Sequence, residues 1–341
     1  MKPKPKPLRY LTPAIILASV SMTFADGRAG AADLKSGFVL VANQQSASAS
    51  LIDLSTDTAK VIAVGAGPHE AVISPSGRTG LVTIYGISGQ PGNQLAIIDI
   101  KTAAVTKTIS LGEYTRPHGA VFLPNDETRA LVTSESTQRL LIVDLVKGVV
   151  EHAVPTGAAG SHMVAITADG RHAYTSNITG GSYSGFQIGG TPSLLGVVST
   201  SPSTEGIAVT PDGKEVWAAS NTGHVNVVDA ATGAIQHDKN FSGLGQPYRL
   251  AMSRDGSIAM ICDPKADAVI VADVKTHKVL WSLTGIGSPR GVSIAPDGRT
   301  AFVTLAADET MGVIDLEARK LTRRIKVEKS PDGVWFGPVP R

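Results

Sequence analysis

The residues best suited to chemistry recur at a steady interval. His69, His118, His162, Glu205, Tyr248, Arg290 and Asp332 each stand just before a short apolar run, at intervals of about 43 residues. The next position in each case holds Glu70, Gly119, Met163, Gly206, Arg249, Gly291 and Gly333. The chain has eight histidines, of which chance would put ~0.2 into seven such positions. Three are there, on consecutive units, with Glu205 on the fourth. Three imidazoles and a carboxylate brought to one point suit Zn²⁺, Fe²⁺ or Cu²⁺. Such a cation with an open position would polarise a carbonyl or activate water. Without a metal, a histidine would serve as general base and Glu70 or Glu205 as acid. Arg249 and Arg290 offer planar forks for a carboxylate or phosphate, and Tyr248 and Asp332 complete a ligand-binding set. Glu70 and Arg249 occupy a place that is small in most other units, which fits either use or a plain ion pair. The competing reading is structural, with polar residues rimming a channel.

Those positions meet only if equivalent units surround an axis. A turn of the Pro-Asp-Gly-Arg type recurs: Ser74-Pro75-Ser76-Gly77-Arg78, Pro124-Asn125-Asp126-Glu127, Ala168-Asp169-Gly170-Arg171, Pro211-Asp212-Gly213-Lys214, Arg254-Asp255-Gly256 and Pro296-Asp297-Gly298-Arg299. Pro presets φ early in the turn and Gly accepts positive φ later. An apolar strand precedes each turn, as in Val292-Ser293-Ile294, and another follows, as in Ala301-Phe302-Val303-Thr304. A third ends in aspartate, as in Val313-Ile314-Asp315, and a fourth alternates, as from Val105 to Ile109. β-Branched residues dominate and no helical period appears. The period and content predict four-stranded propeller blades. Six full units begin near Glu70, Gly119, Met163, Gly206, Arg249 and Gly291. Gly333-Val334-Trp335-Phe336 is a lone first strand, and residues 38–64 supply three strands that lack one. The fold is therefore predicted as all-β, a seven-bladed propeller whose chain ends share one blade and leave no open edge.

Strand direction alternates within a blade. The loop before the innermost strand thus shares a face with the loop between strands two and three, and the Asp-Gly turns lie opposite. One unit departs from the pattern. Gly180 to Gly190 stands where a third strand with its aspartate is expected, which predicts an irregular blade with a loop over the axial pocket. Tyr85–Gln94 is the longest insertion and reads as a loop on the histidine face, a lid, a partner contact or a passive linker. Glu135, Asn177, His224, Asp263 and Asp308 read as solvated surface on that face. His152, His172, His237 and His277 lie elsewhere and receive no role.

Ile294-Ala295-Pro296-Asp297-Gly298-Arg299 and Val313-Ile314-Asp315-Leu316 resemble the YVTN-type repeat of the YncE-like and lactonase-like seven-bladed propellers. The resemblance covers residues 37–336 and speaks to fold more than to function. Lactonase-type and streptogramin-lyase-type propellers are similar in placing His and acidic residues at the axial mouth. The resemblance thus implies where a site lies. The leading expectation is an exported propeller that binds a small ligand, a metal ion or a protein partner at that mouth. The alternatives are a metal-assisted lactone hydrolase or a lyase, with His69, His118, His162 and Glu205 as metal ligands or bases, and an envelope scaffold.

Composition bounds the rest. The chain has 341 residues, 18% charged and 42% hydrophobic, as in ordinary globular proteins. Residues 1–31 read as a secretory signal, with basic Lys2, Lys4, Lys6 and Arg9, an apolar Leu11–Phe24 too short to span a bilayer, and a cut after Ala31, or else after Ala25. Residues 32–341 then form one propeller domain, periplasmic or secreted, monomeric and without a membrane span. The formal charge goes from +2 to slightly negative on cleavage, which excludes a non-specific field for nucleic acid. Arg319-Lys320 and Arg323-Arg324 read as a solvated strand edge. Cys262 is the single cysteine, so no intrachain disulfide forms, and its apolar run makes it a buried small hydrophobe. The sequence has no glycosidase carboxylate pair, Gly-x-Ser-x-Gly elbow, Cys-x-x-Cys-His site or phosphate loop.

Overall fold

Short runs of β-branched residues between Asp-Gly turns cannot form helices of useful length, and they pair into hairpins. A computed structural model describes residues 34–239, 241 and 244–340, all within one compact unit, Ala31–Arg341. Those residues build 28 strands in seven four-stranded antiparallel sheets. Blade 1 runs through β4 (Pro68–Ile73), β5 (Thr79–Ile87), β6 (Gln90–Asp99) and β7 (Ala104–Ser110). Blades 2 to 6 repeat that order over Pro117–Pro155, Ser161–Ser199, Thr204–Lys239, Leu250–Thr284 and Pro289–Lys326. Blade 7 joins the chain ends. β28 (Pro331–Gly337) is its inner strand, paired antiparallel with β1 (Phe38–Asn43), and β2 (Ser48–Asp53) and β3 (Thr58–Ala63) complete it. The proposed signal sequence lies outside the described residues.

Burial grades outward along each blade. The second strands are buried on both faces, whereas outer strands such as Lys320–Lys326 alternate between exposed and half-buried positions. The core is accordingly seven apolar clusters, one in each blade–blade interface. Phe122 and Leu81 meet between blades 1 and 2, and Phe302 and Val39 between blades 6 and 7. The cluster between blades 3 and 4 is the smallest, with five buried residues against eight to thirteen in the others.

The repeated aspartates are structural. Asp99, Asp229 and Asp273 accept hydrogen bonds from the backbone N–H and hydroxyl of a threonine three residues on, which closes the turn to the outer strand. Those bonds hold the three carboxyls below the usual carboxylate range.

Two expectations need correction. The Gly-rich unit is a regular blade, with β14 (Ser182–Gln187) between β13 (His172–Asn177) and β15 (Ser193–Ser199). Neighbouring strands on both sides impose extended backbone on a sequence that alone reads as loop, and no loop from it covers the axis. Tyr85–Gln94 is likewise a hairpin, because β5 and β6 continue to Ile87 and Gln90. Its glycines admit close backbone approach. A Cβ on Gly92 would lie 2.0 Å from the Ile84 carbonyl oxygen.

Candidate functional site

The axial residues are placed by hydroxyls of the neighbouring blade. Thr83 Oγ1 accepts the Glu70 N–H at 2.9 Å and donates to the His118 carbonyl at 3.0 Å. Thr133 does the same between Gly119 N–H and the His162 carbonyl, Ser176 between Met163 N–H and the Glu205 carbonyl, and Thr304 between Gly291 N–H and the Asp332 carbonyl. Cys262 takes this place in blade 5, its Sγ 3.7 Å from the Gly291 carbonyl. Burial pushes its thiol pKa up, so it is an inert, weak donor, as its apolar context implies. In five of the seven blades one side chain thus contacts the backbone of the next blade's axial residue.

The mouth is not an open funnel. His69, Glu70, His118, His162, Glu205, Arg249 and Asp332 are all buried, and Tyr248 and Arg290 half-buried. The three imidazoles stack in sequence. His118 lies between His69 and His162, with ring centroids 3.8 and 3.6 Å away. Tyr85 covers this stack edge-on at 5.5 Å from His118, and Arg116 lies over the tyrosine ring, its Cζ 4.8 Å from the ring centre. The Tyr85 hydroxyl donates to Glu135 Oε1 at 3.1 Å. Burial and the Glu135 charge raise the Tyr85 phenol, so it stays a donor.

Two triads could each hold a cation, their ligand atoms lying within 4.8 Å of one another: His69–Glu70–His118, and His118–Glu135–His162. They share His118. Burial first, then the neighbouring imidazoles and Arg249, push the His118 pKa well below its ordinary value. Burial and Arg249 take His162 down to about 3. Both rings are therefore neutral at physiological pH, the form that binds metals. The Nδ1 atoms of His69 and His118 are buried without a hydrogen-bond partner.

A carboxylate cage fills the other half of the ring. Arg249 donates from Nε to Glu70 Oε1 at 3.0 Å and from Nη2 to the same oxygen. It also reaches Glu205 at 3.5 Å and Asp332 at 3.4 Å. Burial disfavours its charge, but Glu70, Asp332 and Glu205 outweigh this and hold it protonated. Burial raises Glu205, while Asn221 Nδ2 donates to its Oε2 at 2.7 Å. Burial also opposes ionisation of Asp332, yet His69, Arg249 and Arg290 together pull its carboxyl below the usual range. Carboxylates of the protein surround the Arg249 fork, and with Glu70 it forms the ion pair that is one of the two readings of these residues. Arg290 spends one nitrogen on Ser330 Oγ at 3.1 Å.

Seven sequence-predicted residues therefore share one buried cluster: His69, Glu70, His118, His162, Glu205, Arg249 and Asp332. Tyr248 packs its ring 4.8 Å from Arg249 Cζ and, with Arg290, flanks that cluster. Glu205 pairs with His162 Nε2 at 3.3 Å but belongs to neither triad. Glu135, read as solvated surface, is half-buried and joins His118 and His162. Its loop between strands two and three is on the predicted face, which was the one signal available. Asn177 and Asp263 are also not surface. Asn177 is buried and donates to Ser182 and Ser184, and Asp263 accepts the N–H groups of Gly245, Gln246 and Ala266. His277 is buried and contacts Glu215 at 3.1 Å, beside His237.

Comparison with known proteins agrees on architecture. The family model for YNCE-like beta-propellers matches residues 242–340. A solved chain of Kuenenia stuttgartiensis hydrazine synthase superposes with a TM-score of 0.69 at 17% identity, covering 87% of this chain and 100% of that one. At that identity the likeness concerns fold alone. No curated protein matches the chain. Among the described residues no helix is long and apolar enough to cross a membrane.

Proposed function

We propose that this YncE-like propeller binds a divalent transition metal at its axis, outside the cytoplasm. The observation that carries the reading is the His118–Glu135–His162 triad, two neutral buried imidazoles and a carboxylate within reach of one ion. Two imidazoles and one carboxylate match the donor set of Zn²⁺, Fe²⁺ and Cu²⁺ sites. Glu135 rather than Glu205 is the carboxylate ligand, because it lies within reach of one ion with His118 and His162 and Glu205 belongs to neither triad. His69 belongs to the other triad, with Glu70 and His118. The basic and apolar pattern of residues 1–31 supports export. A single chain is the expected unit.

Arg290, half-buried on the Asp332 side of the ring, favours a second reading in which the metal activates an anionic ligand. Lactone hydrolysis and elimination are the reactions to test there.

The deciding experiment is elemental analysis of tag-free mature protein beside a His118→Ala/His162→Ala variant. About one metal ion per chain in the first, and none in a second that still melts cooperatively, is the expected result. No metal in either after reloading with Zn²⁺, Fe²⁺ and Cu²⁺ would overturn the proposal.

A further inference from the structure

Blade 3 lacks two side chains that every other blade has. In five blades a bulge separates the third and fourth strands, and the pair just before it is Ile97–Lys107, Ile142–His152, Val227–His237, Val271–Trp281 or Val313–Arg323. Blade 7, without the bulge, has Leu51–Lys60. Blade 3 makes the same bulge with Gly185–Gly196. The backbone does not need glycine there, because five blades form the bulge without it and neither residue has a positive φ. Crowding does not need it either. A Cβ at 185 would sit 3.5 Å from the Tyr174 ring, an ordinary contact, and one at 196 would meet nothing within 4 Å.

The missing side chains leave a cleft of about 470 Å³ against blade 4, at the interface with the smallest apolar cluster. That volume is in the range of small-molecule sites. Tyr174 and Tyr183 line it, 6% and 2% exposed. The other blades carry Leu, Trp, Met or Phe where Tyr174 stands, and aliphatic residues or methionine where Tyr183 stands. Both phenols are therefore additions as local as the glycines. Neither hydroxyl has a hydrogen-bond partner among the described residues, although both rings are buried. Burial raises both phenols, so they are donors. No Asp, Glu, Lys or Arg lines the cleft, and exposed Leu195 and Val197 form an apolar rim.

We propose that this cleft binds an uncharged small molecule built on a flat ring and bearing a hydrogen-bond acceptor. The glycine pair leaves a flat backbone wall for the ring. The two hydroxyls meet the acceptor, and a carboxylate would find no Lys or Arg in the lining, where His172 is the one ionisable residue besides the phenols. The site shares no residue with the axial cluster and is independent of the metal reading.

The test is calorimetric titration of the purified protein with 2-naphthamide, and with 2-naphthoate as its charged counterpart. Saturable binding of the amide, at least tenfold tighter than the carboxylate, is expected. Gly185→Val/Gly196→Lys gives the pair side chains of the kinds found in the other blades and should weaken binding at least tenfold with an unchanged or higher Tm. Tyr183→Phe should weaken it about fivefold, and it carries the test if the filled variant does not fold. His118→Ala should leave binding unchanged. Absence of saturable amide binding to the natural chain, or equal binding by the folded filled variant and by Tyr183→Phe, would overturn the proposal.

Discussion

His118 and His162 bind protons less readily in the fold than in the unfolded chain, where imidazole titrates near 6.5. Above that pH neither state takes up a proton and the fold keeps its full stability. Below it the unfolded chain gains protons that the buried rings refuse, so stability falls with pH, down to about pH 3 for His162. Glu205, raised by burial, acts in the opposite sense, its contribution fading as pH rises above the usual carboxylate range. Asp332, lowered, adds to the loss only under strong acid. The two imidazoles dominate between pH 6.5 and 4.5. Thermal unfolding in chelator should show a Tm that drops across that window, and His162→Asn should flatten the drop, by at most about 3 kcal/mol at about pH 4.5. Arg249 is the second sensitive residue. Arg249→Met leaves Glu70, Glu205 and Asp332 buried without their cation, and chemical denaturation should register a loss of about 3–5 kcal/mol. Adding Glu70→Gln should recover part of it.

The element that matters most for the site is the second strand of each blade. In blades 1, 2, 3 and 6 its hydroxyl holds both its own inner strand and the axial residue of the next blade, so Thr133→Val should lower stability by about 1–3 kcal/mol. It should also loosen His162 and weaken metal retention, although residue 133 never touches a ligand atom. Thermal unfolding and competition with a chelator would show both effects. At this scale the sequence was informative where a period could be read and silent elsewhere. The turns, the terminal aspartates and the axial positions recur, so register carried His69, His118 and His162 to one place. Glu135 lies in a loop of no fixed register, and residue type alone made it look like surface. Asn177 and Asp263 misled in the same way, because their polar groups serve neighbouring backbone and hydroxyls within the fold. Glycine content made Ser182–Gln187 look like a loop, whereas pairing on both sides decides its conformation.

Across the whole molecule, closure rests on β28. Ending the chain at Ser330 would remove it and leave β1 as an unpaired edge facing an open ring. Light scattering after size exclusion should find that variant aggregated, whereas removal of residues 338–341 alone should leave a monomer. The architecture was legible because seven similar units have few ways to bury their faces except against one another. The hydroxyl links between blades, however, do not run all the way round. They pass from blade 1 through 4 and from blade 5 through 7, and stop at Ala219 and Ala42, which stand at the same register without a hydroxyl. The ring is therefore two crescents, one carrying the imidazoles and Glu205, the other Arg249, Arg290 and Asp332. At their tips Arg249 meets Glu205 at one joint and Asp332 meets His69 at the other, above the apolar clusters of those two interfaces. A cation bound at the proposed centre would draw on His69 and its neighbours, and so on the contacts at those two joints, which would couple its binding to the fit of one crescent against the other.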